Sequence, residues 1–131
     1  MGFKLQKQGS FAYLTIPAFE KTGLTKHGFS TRLGGYSRGD YKTLNLGLKK
    51  DDKRELVMKN YETFLKALDI NLNDLVSTDQ VHDDKIYTAT HNDRGKGFSR
   101  KSDIHKIDAL ITKEKNVALV TYYADCVPLF F

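Results

Sequence analysis

The sequence predicts an α+β fold, and three observations predict it. One segment carries a long helical apolar stripe, several short segments have the β-branched and aromatic character of strands, and turn residues join them without a linker or internal repeat. The 131 residues amount to one domain's length, and 40% hydrophobic with 11% aromatic content supports a packed core rather than disorder.

Phe11 to Ile16 (FAYLTI) reads as a strand. His27 to Arg32 is a second, short strand that runs into Leu33–Gly34–Gly35, where glycine permits a tight turn or a close backbone approach. Ser37 to Tyr41 continues as a polar loop, and Leu44 to Gly47 is a brief apolar–polar alternation. Asp51 to Asp69 is the helix. Val57, Tyr61, Phe64, Leu65 and Leu68 fall on one face, which reads as core packing. Asp52 and Glu55 have capping-box spacing, and Lys66 suits the negative end of the helix dipole. Leu75 to Val81 and Asp84 to Thr90 read as strand-like pieces around Gln80–Val81–His82, and His91 to Asp103 is a polar loop with Gly95 and Gly97. Ile107 to Thr112 and Val117 to Phe131 carry the strongest strand signals. A chain ending on Leu129–Phe130–Phe131 with nothing to cover it reads as a fold cut in the middle.

A single cysteine, Cys126, excludes an internal disulfide and favours a reducing compartment. The opening MGFKLQKQGS is too polar for a secretory signal, and Gln6 breaks the myristoylation pattern. No apolar run approaches the roughly 20 residues that span a bilayer. The expectation is a cytoplasmic protein with no membrane partner. The formal charge of +5 arises from 21 basic and 16 acidic residues. The basic residues are dispersed, and the densest cluster, Arg94 to Lys106, lacks the interleaved aromatics of a base-stacking platform. Such a charge is compatible with nucleic acid or phosphate-bearing ligands, and its dispersal favours the plainer reading of a solvated basic surface.

Three local patterns bear on chemistry. Cys126 lies in Tyr123–Ala124–Asp125–Cys126–Val127–Pro128, where Pro128 predicts a strand edge, bulge or end. Such a distortion turns Asp125 and Cys126 toward one cavity, but a lone cysteine is also commonly a small buried hydrophobe. His82 precedes two acids, Asp83 and Asp84, that can orient an imidazole, and it equally suits an exposed loop. His27, His91 and His105 are its rivals. Arg32–Leu33–Gly34–Gly35–Tyr36–Ser37 offers a guanidinium fork beside a glycine turn whose amides can form an anion nest, or an ordinary turn. It is not a P-loop, because the terminal Gly-Lys-Ser/Thr is missing.

Taken in order, six segments resemble the YfiH family, also called the laccase-domain or polyphenol-oxidoreductase family. They are His27 to Ser37 (HGFSTRLGGYS), Asn45 to Leu48 (NLGL), Val57 with Asn60 in the helix, Gln80–Val81–His82, Asp108 to Thr112 (DALIT) and Ala124 to Pro128 (ADCVP). The resemblance implies a layered α/β/β/α arrangement of two mixed sheets flanked by helices. It implies that residues 1–131 are the N-terminal part of a single domain about twice this length. It also implies a metal site, usually zinc, built from His82, Cys126 and a histidine beyond Phe131. Tyr123, Asp83 and Tyr61 depart from the family's usual threonine, glycine and arginine; the first two leave the ligands intact, and the third puts that arginine's role in doubt.

Proteins similar in this way phosphorolyse adenosine, inosine or methylthioadenosine and deaminate adenosine. His₂Cys with an open position suits catalytic zinc, whereas a multi-copper laccase needs many histidines and this stretch has 4. Copper remains the alternative metal. Within the zinc reading, Arg32 with the Gly34–Gly35 backbone is assigned to phosphate, Asn45 to the nucleoside, and Asp125 to proton transfer or orientation. Expected partners are a purine nucleoside and phosphate, with a homodimer left open. Two rival readings are a Cys126–His82 hydrolase or deamidase and a noncatalytic RNA-binding module. With one ligand and part of the core missing, residues 1–131 alone are expected to be inactive.

Overall fold

Seven strands and two α-helices make up the regular structure of the computed structural model, which describes residues 2–48 and 51–130. The chain divides into two compact units, one running to Asp69 and the other starting at Ile70.

The first unit is an antiparallel three-stranded sheet with two helices. Strand β1 (Lys4–Gln8) pairs with β2 (Phe11–Thr15), which pairs with β3 (Phe29–Ser30). The register Gln8↔Phe11 leaves Gly9–Ser10 as a two-residue hairpin loop, with Gly9 at φ +63°. The sequence reading placed β2 and β3 but not β1, which is almost wholly exposed and so lacks an apolar face to announce it. Helix α1 (Pro17–Thr22) is a second departure from the one-helix expectation. Pro17 opens it without losing a needed donor, and Gly23 closes it in the left-handed region.

Helix α2 (Arg54–Leu68) is the anticipated helix, with Val57, Tyr61 and Leu65 buried. Phe64 and Leu68 pack on the cluster of Phe11, Tyr13 and Leu44. The Phe64 ring meets Phe11 and Tyr13 edge-on at 6.2 and 5.9 Å, and Phe11 and Tyr13 stack at 5.4 Å. The capping box is a correction. Lys53 is the N-cap and no side chain caps the helix. Asp52 instead accepts from the Lys53 amide, the Ser37 hydroxyl and the Asn45 side chain, so its carboxylate is held away from the first turn.

The second unit is built on two parallel pairs: β4 (Leu75–Ser77) with β7 (Ala118–Val120), and β5 (Ile86–Thr88) with β6 (Ala109–Ile111). Val76, Ala89, Ile104 and Val117 form its core, with Tyr87, Ile107 and Leu110 against them. The α+β class is therefore observed, with antiparallel pairing in one unit and parallel pairing in the other. The Val117 to Phe131 segment is shorter as a strand than its composition predicts. The ladder stops at Val120, and Val127 and Leu129 beyond it are 80% and 70% exposed. Phe131 lies outside the described residues. Among the described residues, no helix is long and apolar enough to cross a membrane.

The polar loop from His91 to Asp103 is organised around one buried acid. Asp93 caps a 3-10 turn at Thr90, accepts from the Tyr87 hydroxyl at 3.0 Å, and pairs with Lys96 at 2.7 Å. Lys96 also reaches Asp103 at 2.6 Å. Burial pushes the Asp93 carboxyl up, but Lys96, the Thr90 amide and hydroxyl and the Tyr87 hydroxyl outweigh it and hold the pKa down at about 2.

Candidate metal centre

His82 and Cys126 both follow the C-terminal ends of hydrogen-bonded neighbours. Strands β4 and β7 run parallel in the register Leu75↔Ala118, Val76↔Leu119 and Ser77↔Val120. The chain leaving β4 reaches Gln80–Val81–His82, and the chain leaving β7 reaches Asp125–Cys126. Carboxyl ends of parallel strands are where open sheets commonly place ligand sites. The two departing segments stay joined past the ladder, because the Gln80 side chain acts as a surrogate strand. The Tyr122 amide donates to Gln80 Oε1 at 2.9 Å, and Gln80 Nε2 donates to the Tyr122 carbonyl at 3.4 Å.

A second anchor holds the His82 loop. The Asp108 carboxylate accepts from three successive amides: Val81 at 3.0 Å, His82 at 2.8 Å and Asp83 at 3.0 Å. This convergence requires a left-handed residue, and His82 supplies it at φ +64°. Histidine tolerates that region better than most side chains. Asp83, which stands where glycine is common in similar proteins, is not among the positive-φ residues, so that departure carries no backbone strain. Burial raises the Asp108 carboxyl, but the amides of Asp83, Val81 and His82 and the nearby imidazole bring it below the usual carboxylate range.

The side chains expected to carry chemistry are accessible. Cys126 is exposed, so it is not a small buried hydrophobe, and Asp125 and His82 are exposed as well. Imidazole and thiolate are a donor pair suited to zinc. Among the described residues no group of three His, Cys, Asp or Glu side chains is arranged to hold a metal. The rival histidines have other roles. His27 Nε2 accepts from the Ile16 amide at 2.8 Å, and the His91 ring lies 2.6 Å from Glu114 and 2.8 Å from the Lys115 carbonyl. His105 forms an isolated backbone bridge with Asp79.

In the first unit, the motif residues of the glycine loop converge on Asn60 of α2, which is wholly buried. Asn60 Oδ1 accepts from the Tyr36 amide at 2.7 Å, while Nδ2 donates to Ser37 Oγ at 2.9 Å and to the Asn45 carbonyl at 2.8 Å. Gly34 sits at φ +84°, and a Cβ there would lie 2.1 Å from Phe11 Cα. A Cβ on Gly35 would lie 2.2 Å from the Thr43 carbonyl oxygen. Close backbone approach, one of the two options read from the sequence, is what these glycines provide.

The polar groups of this loop are mostly engaged by the loop itself. The Gly35 amide donates to Thr43 Oγ1, and the Ser37 amide to the Thr43 carbonyl. Arg32 is exposed, with Nε and Nη2 donating to the Lys42 carbonyl at 3.1 and 2.8 Å, which fixes the plane of its guanidinium. Asn45 donates to Asp52 at 3.0 Å and accepts from the Gly47 amide at 2.9 Å. These bonds give Gly35 and Asn45 structural partners within the loop itself. Sequence reasoning gave no role to Gln80, Asp108 or Asn60, although all three lay in matched motifs. Their partners are far away in sequence, so no local spacing signals them.

Comparison with known proteins places these motifs in context. The family model described as multi-copper polyphenol oxidoreductase laccase matches residues 26–131. The chain is 41% identical over 105 residues to the purine nucleoside phosphorylase YlmD of Bacillus subtilis, and 36% identical over 105 residues to its namesake in Geobacillus stearothermophilus. In each case 79% of this chain is aligned with 38% of the relative, so the chain spans well under half the length of these curated relatives. Among solved structures, the Bacillus licheniformis hypothetical protein YfiH superposes with a TM-score of 0.74 at 28% identity, covering 89% of this chain and 42% of that one. YlmD from Geobacillus stearothermophilus gives 0.73 at 29% identity, covering 90% and 43%.

Proposed function

The chain belongs to the laccase-domain (YfiH) family, and from that premise we propose that the full-length protein is a metal-dependent purine nucleoside phosphorylase whose metal is held in part by His82 and Cys126. The observation that carries the metal assignment is the Gln80–Tyr122 clamp, which keeps the segments leading to His82 and Cys126 side by side beyond the parallel ladder. The substrate class follows the names of the relatives. Zinc is the metal that best suits imidazole and thiolate donors, with the remaining ligand supplied from outside these residues. When bound, it supplies Lewis acidity at an oxygen or nitrogen of the substrate.

The chain's own residues do the rest. Arg32, exposed and with its plane set by the Lys42 carbonyl, is the cation offered to phosphate. The Gly34–Gly35 backbone beside it is assigned to the same anion. Asp125, exposed and next to Cys126 in sequence, is the group we assign to hold or pass a proton. Adenosine deamination at the same site is the second activity in this reading. A reducing, cytoplasmic setting suits a thiolate ligand in this reading.

The deciding experiment incubates full-length protein with adenosine in the presence and absence of phosphate and follows adenine, ribose 1-phosphate and inosine. Phosphate-dependent adenine release that is lost in His82→Ala and Cys126→Ala supports the proposal. Turnover retained in both variants rejects it. The family model's description favours a second reading, copper-dependent polyphenol oxidation. Oxygen uptake on a phenol that tracks copper loading, without nucleoside turnover, would select it.

A further inference from the structure

We infer that Asp108 is a positioning residue for the metal ligand His82, acting through the backbone of its loop. The inference rests on the metal-site reading above and adds the device that aims the imidazole.

Asp108 immediately precedes β6, and the β5–β6 register fixes it there. Ile86 pairs with Ala109, and the amides of Asp108 and Ala109 both donate to the Lys85 carbonyl at 3.2 Å. From this anchored position the carboxylate takes all three amides of Val81, His82 and Asp83, with Val81 shared between both oxygens at 3.0 and 3.1 Å. Three amides pointing at one anion leave the His82 backbone a single orientation, at φ +64°. That backbone fixes the direction of the His82 Cα–Cβ bond, which leaves only the side-chain torsions to turn the ring toward a metal. A loop held only by its own turn has no such constraint, and an exposed imidazole on it samples many directions. Charge-assisted bonds to backbone amides are the strong kind, which suits this task better than a neutral acceptor.

A neutral amide at this position distinguishes positioning from bulk. In Asp108→Asn the oxygen still accepts from the Val81 and His82 amides, but the amino group faces the Asp83 amide, donor against donor. In Asp108→Ala all three amides lose their acceptor. Ligand orienters of this kind typically change metal affinity by about 10–100-fold when removed.

The test uses full-length protein stripped of metal and titrated with Co²⁺ against a competing chelator. It follows the thiolate-to-cobalt absorption band and, separately, the melting temperature of the metal-free form. His82→Ala and Cys126→Ala serve as reference variants. The expected result for Asp108→Ala is a fall in Co²⁺ affinity of about 10–100-fold with a weakened or shifted thiolate band. Asp108→Asn should fall between Asp108→Ala and wild type. Asp108→Ala with wild-type affinity and spectrum overturns the inference, even if its melting temperature drops. If Asp108→Ala does not fold, Asp108→Asn is decisive in the same way, and unchanged affinity in folded Asp108→Asn overturns it. If the wild-type cobalt spectrum is indifferent to both His82→Ala and Cys126→Ala, the metal-site reading itself fails and takes this inference with it. If the reference variants lose the spectrum while the Asp108 variants keep it, only the positioning role is rejected.

Discussion

Gln80 and Tyr122 complete a strand pairing with a side chain where the main-chain ladder has ended. Tyr122 donates its amide to Gln80 Oε1 at 2.9 Å and receives Gln80 Nε2 at its carbonyl. The β4–β7 pair is only three residues long on each strand, so this clamp is what extends the alignment toward His82 and Cys126.

Removing the clamp should therefore loosen the site more than the fold. Gln80→Ala is expected to cost about 1–2 kcal/mol of stability for two bonds of ordinary worth. Its larger effect should be on metal retention during chelator challenge. Gln80→Glu keeps the acceptor for Tyr122 but sets a carboxylate against the Tyr122 carbonyl, and should be no better than Gln80→Ala. Urea denaturation of the metal-free protein and chelator-release kinetics measure the two effects separately.

Asn60 holds three parts of the glycine loop from the centre of a helix. Asn60→Leu preserves volume but removes the acceptor of the Tyr36 amide, and also the donors to Ser37 and the Asn45 carbonyl. The expected loss is about 3 kcal/mol, read as a lower urea midpoint. A change under about 0.5 kcal/mol would show that water replaces these bonds freely.

Gly34 and Gly39 separate two kinds of glycine requirement. Both have positive φ, +84° and +60°, but a Cβ on Gly34 collides with the Phe11 backbone whereas one on Gly39 meets nothing within 4 Å. Gly34→Ala should cost at least about 3 kcal/mol and reduce soluble yield, while Gly39→Ala should cost only about 1 kcal/mol. Comparable losses in thermal denaturation would contradict this assignment.

Asp93 should make the second unit sensitive to acid. Its pKa of about 2 in the folded protein lies below the ordinary 3.8, so its partners contribute stability above that ordinary value. That contribution, roughly 2–3 kcal/mol, disappears as pH falls from about 4 through about 2. Asp93→Asn should be less stable than wild type at neutral pH and should lose the part of the acid slope that Asp93 supplies. Urea midpoints measured from pH 6 to pH 2 test both points.

The sequence made some of this legible and hid the rest for physical reasons. Helix α2 was readable because its core-facing residues repeat at the helical period, and strand β2 because of its aromatic and β-branched composition; residues of both pack together. Strand β1 has no such face. Helix α1, with six residues, is too short to show a period. The Asp52–Glu55 spacing misled because Ser37 and Asn45 compete for the same carboxylate. At the candidate site, His82 and Cys126 were visible as residue types in recognisable motifs. The groups that aim their segments, Asp108 and Gln80, work across long sequence separations and were found only in the fold.

X-ray absorption at the metal edge of zinc-loaded full-length protein tests the central claim most directly. Shared ligation by His82 and Cys126 predicts one sulfur at about 2.3 Å beside nitrogen or oxygen at about 2.0–2.1 Å, with the sulfur shell lost in Cys126→Ala and the nitrogen shell reduced in His82→Ala. A shell without sulfur in the wild type, or a spectrum unchanged by either substitution, would contradict it.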